Sequence, residues 1–163
     1  MIEQPCENKP AYLLALEAVF GGPSQEGFGS AVFFMPGPQD AALEETARSC
    51  YQHFVGENWE KWGAEAWLGP WRETYRRDST TKNDIVAELR DIQDPESRRQ
   101  VGTLLDTIDD PAEAHTALAA AYDNPDIIDL RVYKLGDGDA MAGVLIAGSR
   151  KNNDVTIVAF LLD

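Results

Sequence analysis

A chain of 163 residues with 28 Asp plus Glu against 14 Lys plus Arg carries a formal net charge of −14, which repels nucleic acid and anionic membrane surfaces and favours basic partners. The length is that of a single globular domain, 1–163, large enough to bury a core without a disulfide or metal staple. Cys6 and Cys50 are too few for a disulfide framework, MIEQPCENKP lacks the features of a signal peptide, and no apolar run reaches spanning length, so a cytoplasmic location is expected.

Residues 11–20, AYLLALEAVF, predict a short apolar helix stopped by Gly21-Gly22-Pro23. AVFFM (31–35) predicts a strand closed by Pro36 and Pro38. Asp40 reads as the N-cap of a long helix reaching Trp62, with Leu43, Ala47, Tyr51, Phe54 and Trp62 along one side. Gly69-Pro70 breaks the chain, and Pro70 suits the first turn of a further short helix. Helices are predicted near 82–92, 95–108 and 111–122, the last two announced by Asp94-Pro95 and Asp110-Pro111. IIDLRVYKL (127–135), AMAGVLIAG (140–148) and VTIVAFLLD (155–163) then form an antiparallel meander, turning at Asp137-Gly138 and at Asn152-Asn153. The fold class is α+β: a mostly antiparallel sheet, one early strand plus a C-terminal three-stranded meander, packed with helices, with an αβα sandwich as one arrangement.

In the first meander strand Ile128, Leu130 and Val132 alternate with Asp129, Arg131 and Tyr133, so one face can meet water. The next two strands are apolar at nearly every position, and both their faces need cover. Helices on two sides would provide it; a homodimer through the apolar sheet face is another way.

All four tryptophans, Trp59, Trp62, Trp67 and Trp71, lie in one stretch. Trp67, Trp71 and Tyr75 are spaced by four and Trp59 and Trp62 by three, as on a helical face, which points to core packing against the sheet. A small-molecule pocket lined by the same rings is the alternative. Cys50, His53 and Glu57, at i, i+3 and i+7, resemble a Cys-His-acid set on paper, which would make the chain an enzyme. Cys50, however, lies mid-helix, away from the helix N-terminus or cation that usually activates a thiol. His53 and His115 are the only histidines and no CxxC occurs, so neither a metal site nor a cofactor is expected.

Charge is the more informative signal. Between Arg99 and Arg131 there is no Lys or Arg, while Asp106, Asp109, Asp110, Glu113, Asp123, Asp126 and Asp129 all fall in that span. Asp110 is spoken for as a helix cap. Asp106, Asp109, Glu113, Asp123 and Asp126 are the candidate partner-binding residues, because a one-signed patch raises both encounter rate and selectivity for an oppositely charged protein.

The stretch VYKLGDGDAMAGVLIAGSRKNNDVTIVAF (132–160) resembles the C-terminal hairpins of the nuclease A inhibitor-like family. There a Val-Tyr-x-Leu-Gly-acid run leads into a Val-x-x-Gly strand, a Gly/Asn turn and a last strand. The Gly-Asp-Gly turn here replaces a denser acidic-apolar stretch in that family, and residues 1–131 do not align. The resemblance implies an αβ sandwich that neutralises a toxic nuclease, and it transfers no individual inhibitory residue. Together these observations predict an acidic protein-binding domain, an inhibitor or immunity-type partner of a basic protein such as a nuclease or toxin.

Overall fold

The computed structural model describes residues 10–21, 29–37, 42–77, 83–106, 110–136 and 141–162. Five strands form one antiparallel sheet: β1 (Gly29–Met35), β2 (Arg72–Arg76), β3 (Ile127–Leu135), β4 (Ala142–Arg150) and β5 (Val155–Leu162). They run in the order β1-β5-β4-β3-β2, so the meander is the centre of the sheet and the early strand docks on its last member. The described helices are α1 (Ala11–Phe20), α2 (Leu43–Val55), α3 (Asn58–Trp62), α4 (Ala64–Leu68), α5 (Ile85–Arg90), α6 (Pro95–Asp106) and α7 (Pro111–Tyr122).

The pleat sends alternate residues to opposite faces, and each face buries its own cluster. On one side Val32, Phe34, Leu130, Val132, Val144, Ile146, Val158 and Phe160 pack against α1, α5, α6 and α7. On the other, Ala31, Phe33, Tyr133, Leu145, Ile157 and Leu161 pack against α2, α3 and α4. The result is an α/β/α sandwich. Among the described residues both apolar faces are therefore packed against helices of the same chain, so cover of the sheet does not by itself require a second copy. Tyr122 fastens α7 to the sheet. Its ring lies over Gly148, where an added Cβ would come within 2.7 Å of it, and its hydroxyl donates to the carbonyl of Thr156 at 3.1 Å.

Several expectations change. The long helix is two: Gly56, with φ of 69°, ends α2, and Trp62 belongs to α3 instead of continuing the α2 stripe. Residues 72–76, read as part of a further helix, are the edge strand β2, paired with β3 from Arg72↔Lys134 to Arg76↔Arg131. The outward side of β3 is not wet at Tyr133, which is buried. At its other end a register shift between Ile127 and Asp129 turns Ile128 out to solvent. The cap assignments at Asp94 and Asp110 hold: each carboxylate accepts a backbone N–H, from Ser97 and from Glu113. Asp40 and the Asp137-Gly138 turn lie outside the described residues. Among the described residues, no helix is long and apolar enough to cross a membrane.

Candidate partner-binding surface

Tryptophan is the natural filler of a helix–sheet seam, because it buries a large area and needs only one acceptor for its N–H. Tyr51, on the inner side of α2, is the hub. Trp71 stacks on it at 5.7 Å and on Tyr133 at 4.6 Å, while Trp59 and Trp67 meet it edge-on at 5.4 and 6.2 Å. The indole N–H of Trp67 donates to the carbonyl of Asn58, and that of Trp71 to Glu44 at the start of α2. Trp59, Trp67 and Trp71 are core, closed against one another rather than around a ligand.

Trp62 departs from that reading. Its ring stacks on Trp67 at 5.2 Å with the planes 7° apart, but 50% of the residue is exposed. Gly56 and Gly63, both at positive φ, set the short α3 at the surface and turn the chain into α4. Around it in sequence stand Glu57, Glu60 and Glu65, all exposed, with Lys61 as the one cation of the segment. None of these three carboxylates is paired among the described residues. A half-exposed indole backed by Trp67, in a segment with three exposed carboxylates, offers a cation a π face.

The acidic span looks different in three dimensions. Asp106 accepts both guanidinium nitrogens of Arg90, at 2.9 and 3.1 Å, and that bond holds its carboxyl below the ordinary carboxylate value. Asp123 accepts the N–H of Ile85 at 2.7 Å and lies 3.6 Å from Arg77. Burial raises its carboxyl from the ordinary value, and its Oδ1 is already engaged by Ile85 and Arg77. Asp126 stands 3.9 Å from Lys151, and Asp129 pairs with Arg131 at 3.0 Å. Glu113 is exposed in the first turn of α7, and Asp109 lies outside the described residues. Asp106, Asp123, Asp126 and Asp129 thus each stand beside a base from outside the span, whereas the carboxylate of Glu113 has no ion-pair partner among the described residues, and the unpaired acids of α3–α4 lie close in sequence to Lys61. The readable signal for them was the surface position of Trp62, which depends on the break at Gly56.

Cys50, His53 and Glu57 do not form a reactive set. Cys50 is wholly buried, and burial pushes its thiol to about 12, so almost no thiolate exists at neutral pH. His53 meets Phe33 edge-on at 5.9 Å, and Glu57 lies past the break, as the N-cap residue of α3. In the native protein Cys50 should resist thiol reagents that label it readily in denaturant. Cys50→Ser should cost about 1–3 kcal/mol, the penalty of an unpaired buried hydroxyl, and leave binding unchanged. Rapid native labelling, or loss of function in a folded Cys50→Ser protein, would reverse this assignment. Among the described residues no group of three His, Cys, Asp or Glu is placed to hold a metal ion.

No family model matches the chain, and no curated protein matches it either.

Proposed function

We propose that the chain acts by binding a basic protein, with Trp62 at the centre of the contact and Glu57, Glu60 and Glu65 around it. The observation that carries the reading is the half-exposed Trp62, held flat on Trp67 in a segment of unpaired carboxylates. Tryptophan, with Tyr and Arg, is enriched among the interface residues that dominate binding energy. A net charge of −14 would speed the encounter with a basic protein, and an Arg or Lys of that protein would lie over the indole. Neutralisation of a basic nuclease or toxin is the form of this activity that the sequence resemblance favours. A reducing compartment such as the cytoplasm suits the free, buried Cys50 thiol.

The test compares wild type, Trp62→Ala and a Glu60→Gln/Glu65→Gln chain. Each is immobilised and exposed to extract at low salt, and the captured protein is then titrated calorimetrically. Trp62→Ala should weaken binding by about 2 kcal/mol or more, roughly thirtyfold, while the fold survives. The double Gln variant should slow association and flatten its salt dependence, since a Debye length of about 10 Å at 0.1 M screens rim charges. Capture of the same proteins by all three chains would sink the proposal, as would a captured partner that is acidic and indifferent to salt.

A further inference from the structure

Arg150 ends β4 with its side chain turned inward, and as a residue it is only 8% exposed. A buried guanidinium ordinarily has a carboxylate on it, because an unpaired buried charge is costly. Arg150 has none among the described residues. One terminal nitrogen donates to the carbonyl of Ala121 near the end of α7 at 2.9 Å, and its carbon lies 3.9 Å above the ring centre of Tyr12. Among the described residues its Nε–H, closed off from solvent, has no acceptor. The same side chain lines a half-open cavity of about 280 Å³ together with Tyr12, Asp126, Lys151, Asn152 and Asp154. Both aspartates keep their charge in the cavity, but among the described residues neither lies within ion-pair distance of the guanidinium. Asp154 spends one oxygen on the N–H of Gly37 and the other on Asn152, and Asp126 faces Lys151 at 3.9 Å. Among the described residues Arg150 is thus a largely buried arginine with no carboxylate in ion-pair reach, at the edge of a half-open cavity whose other cation, Lys151, stands 3.9 Å from Asp126.

We propose that this cavity binds a small oxyanion, a carboxylate or a phosphate, seated between the Arg150 guanidinium and the Lys151 ammonium. With Nε closed off from solvent and one terminal nitrogen held by Ala121, the other terminal nitrogen of Arg150 is the donor such a group would meet, and the low exposure of Arg150 strengthens that charge-assisted bond over what it would be in water. Asp126 and Asp154 would set a limit on ligand charge, favouring a singly charged or zwitterionic molecule over a polyanion. The site is on the β4–β5 turn and is independent of Trp62.

The experiment follows the Arg150 Nε–Hε resonance and the thermal midpoint of the full chain during titration with sodium acetate, inorganic phosphate or sodium chloride at matched ionic strength. A saturable shift with acetate or phosphate and none with chloride is expected, and which of the two saturates first identifies the source chemistry. Lys151→Gln should bind several-fold more weakly, and Arg150→Lys should abolish the response. If Arg150→Lys does not fold, Lys151→Gln decides, since the Lys151 side chain is exposed and its loss leaves the core intact. The proposal is overturned by an equal response to chloride, by unchanged binding in Lys151→Gln, or by no saturable shift in any arm.

Discussion

Trp67→Ala should lower the free energy of unfolding by about 3–5 kcal/mol, the range for a fully buried large aromatic, whereas Trp62→Ala should cost only about 1–2 kcal/mol. Trp67 is 2% exposed, sits between Trp59 and Trp62 in a near-parallel stack, touches Tyr51 edge-on, and bonds Asn58. Truncation there opens a void in the seam between α2 and the sheet and removes three ring contacts at once. Trp62 loses one stack and a half-share of buried surface. Urea midpoints for the two variants, measured side by side, separate them. Equal costs would mean that Trp62 is core after all and that the surface described around it is not a free one.

Glu88→Ala should be comparably damaging, at about 3–5 kcal/mol, by stranding a buried cation. Glu88 takes Arg77 in bidentate fashion at 2.6 and 2.7 Å, the hydroxyl of Tyr75 at 2.6 Å and the N–H of Asp84 at 3.1 Å. Arg77 and Glu88 side chains are each 6% exposed, and Arg77 also donates to the carbonyl of Tyr122. Pairing Glu88→Leu with Arg77→Met should recover part of the loss, since an apolar pair leaves no charge behind. The network also predicts acid lability. Burial alone would raise the Glu88 carboxyl, but the bonds from Arg77 and Tyr75 outweigh it and hold the group below its ordinary value of 4.5. A depressed carboxyl contributes stability that is complete above the unfolded value and is lost as the pH falls through the folded one. Asp123, whose carboxyl is raised, acts in the opposite sense. Wild type should therefore lose stability between roughly pH 5 and pH 3 more steeply than Glu88→Gln. Parallel curves for the two proteins would remove Glu88 from the account.

How far the sequence went can be traced residue by residue. The meander was legible because long apolar runs punctuated by Gly and Asn have few other readings, and β3 begins and ends where the pattern says. Edge strand β2 was not legible. Its residues, RETYR, carry no apolar period, and the four-residue spacing of Trp67, Trp71 and Tyr75 mimicked a helix across a chain that bends at Gly69-Pro70. Spacing also misplaced Trp62, because a wheel drawn through Gly56 assumes a helix that this glycine ends. The acidic span showed the same limit for charge. Sequence displays which charges are neighbours along the chain, whereas Arg90, Arg77 and Lys151 reach Asp106, Asp123 and Asp126 only through folding.

The pairing of β1 with β5 has a kinetic consequence. Gly29 lies opposite Leu161 and Met35 opposite Val155, so the early strand can dock only after a segment far down the chain has been made and placed. Contacts of such long sequence separation slow folding, because the loop entropy is spent before the pairing rewards it. Until then AVFFM stands without its partner, a short, uncharged, proline-free run with high strand propensity and a hazard for intermolecular association. Refolding yield should accordingly fall with protein concentration even when the folded state is fully stable. A charge introduced into β1 would relieve that loss only by spoiling one of the two faces the strand must bury.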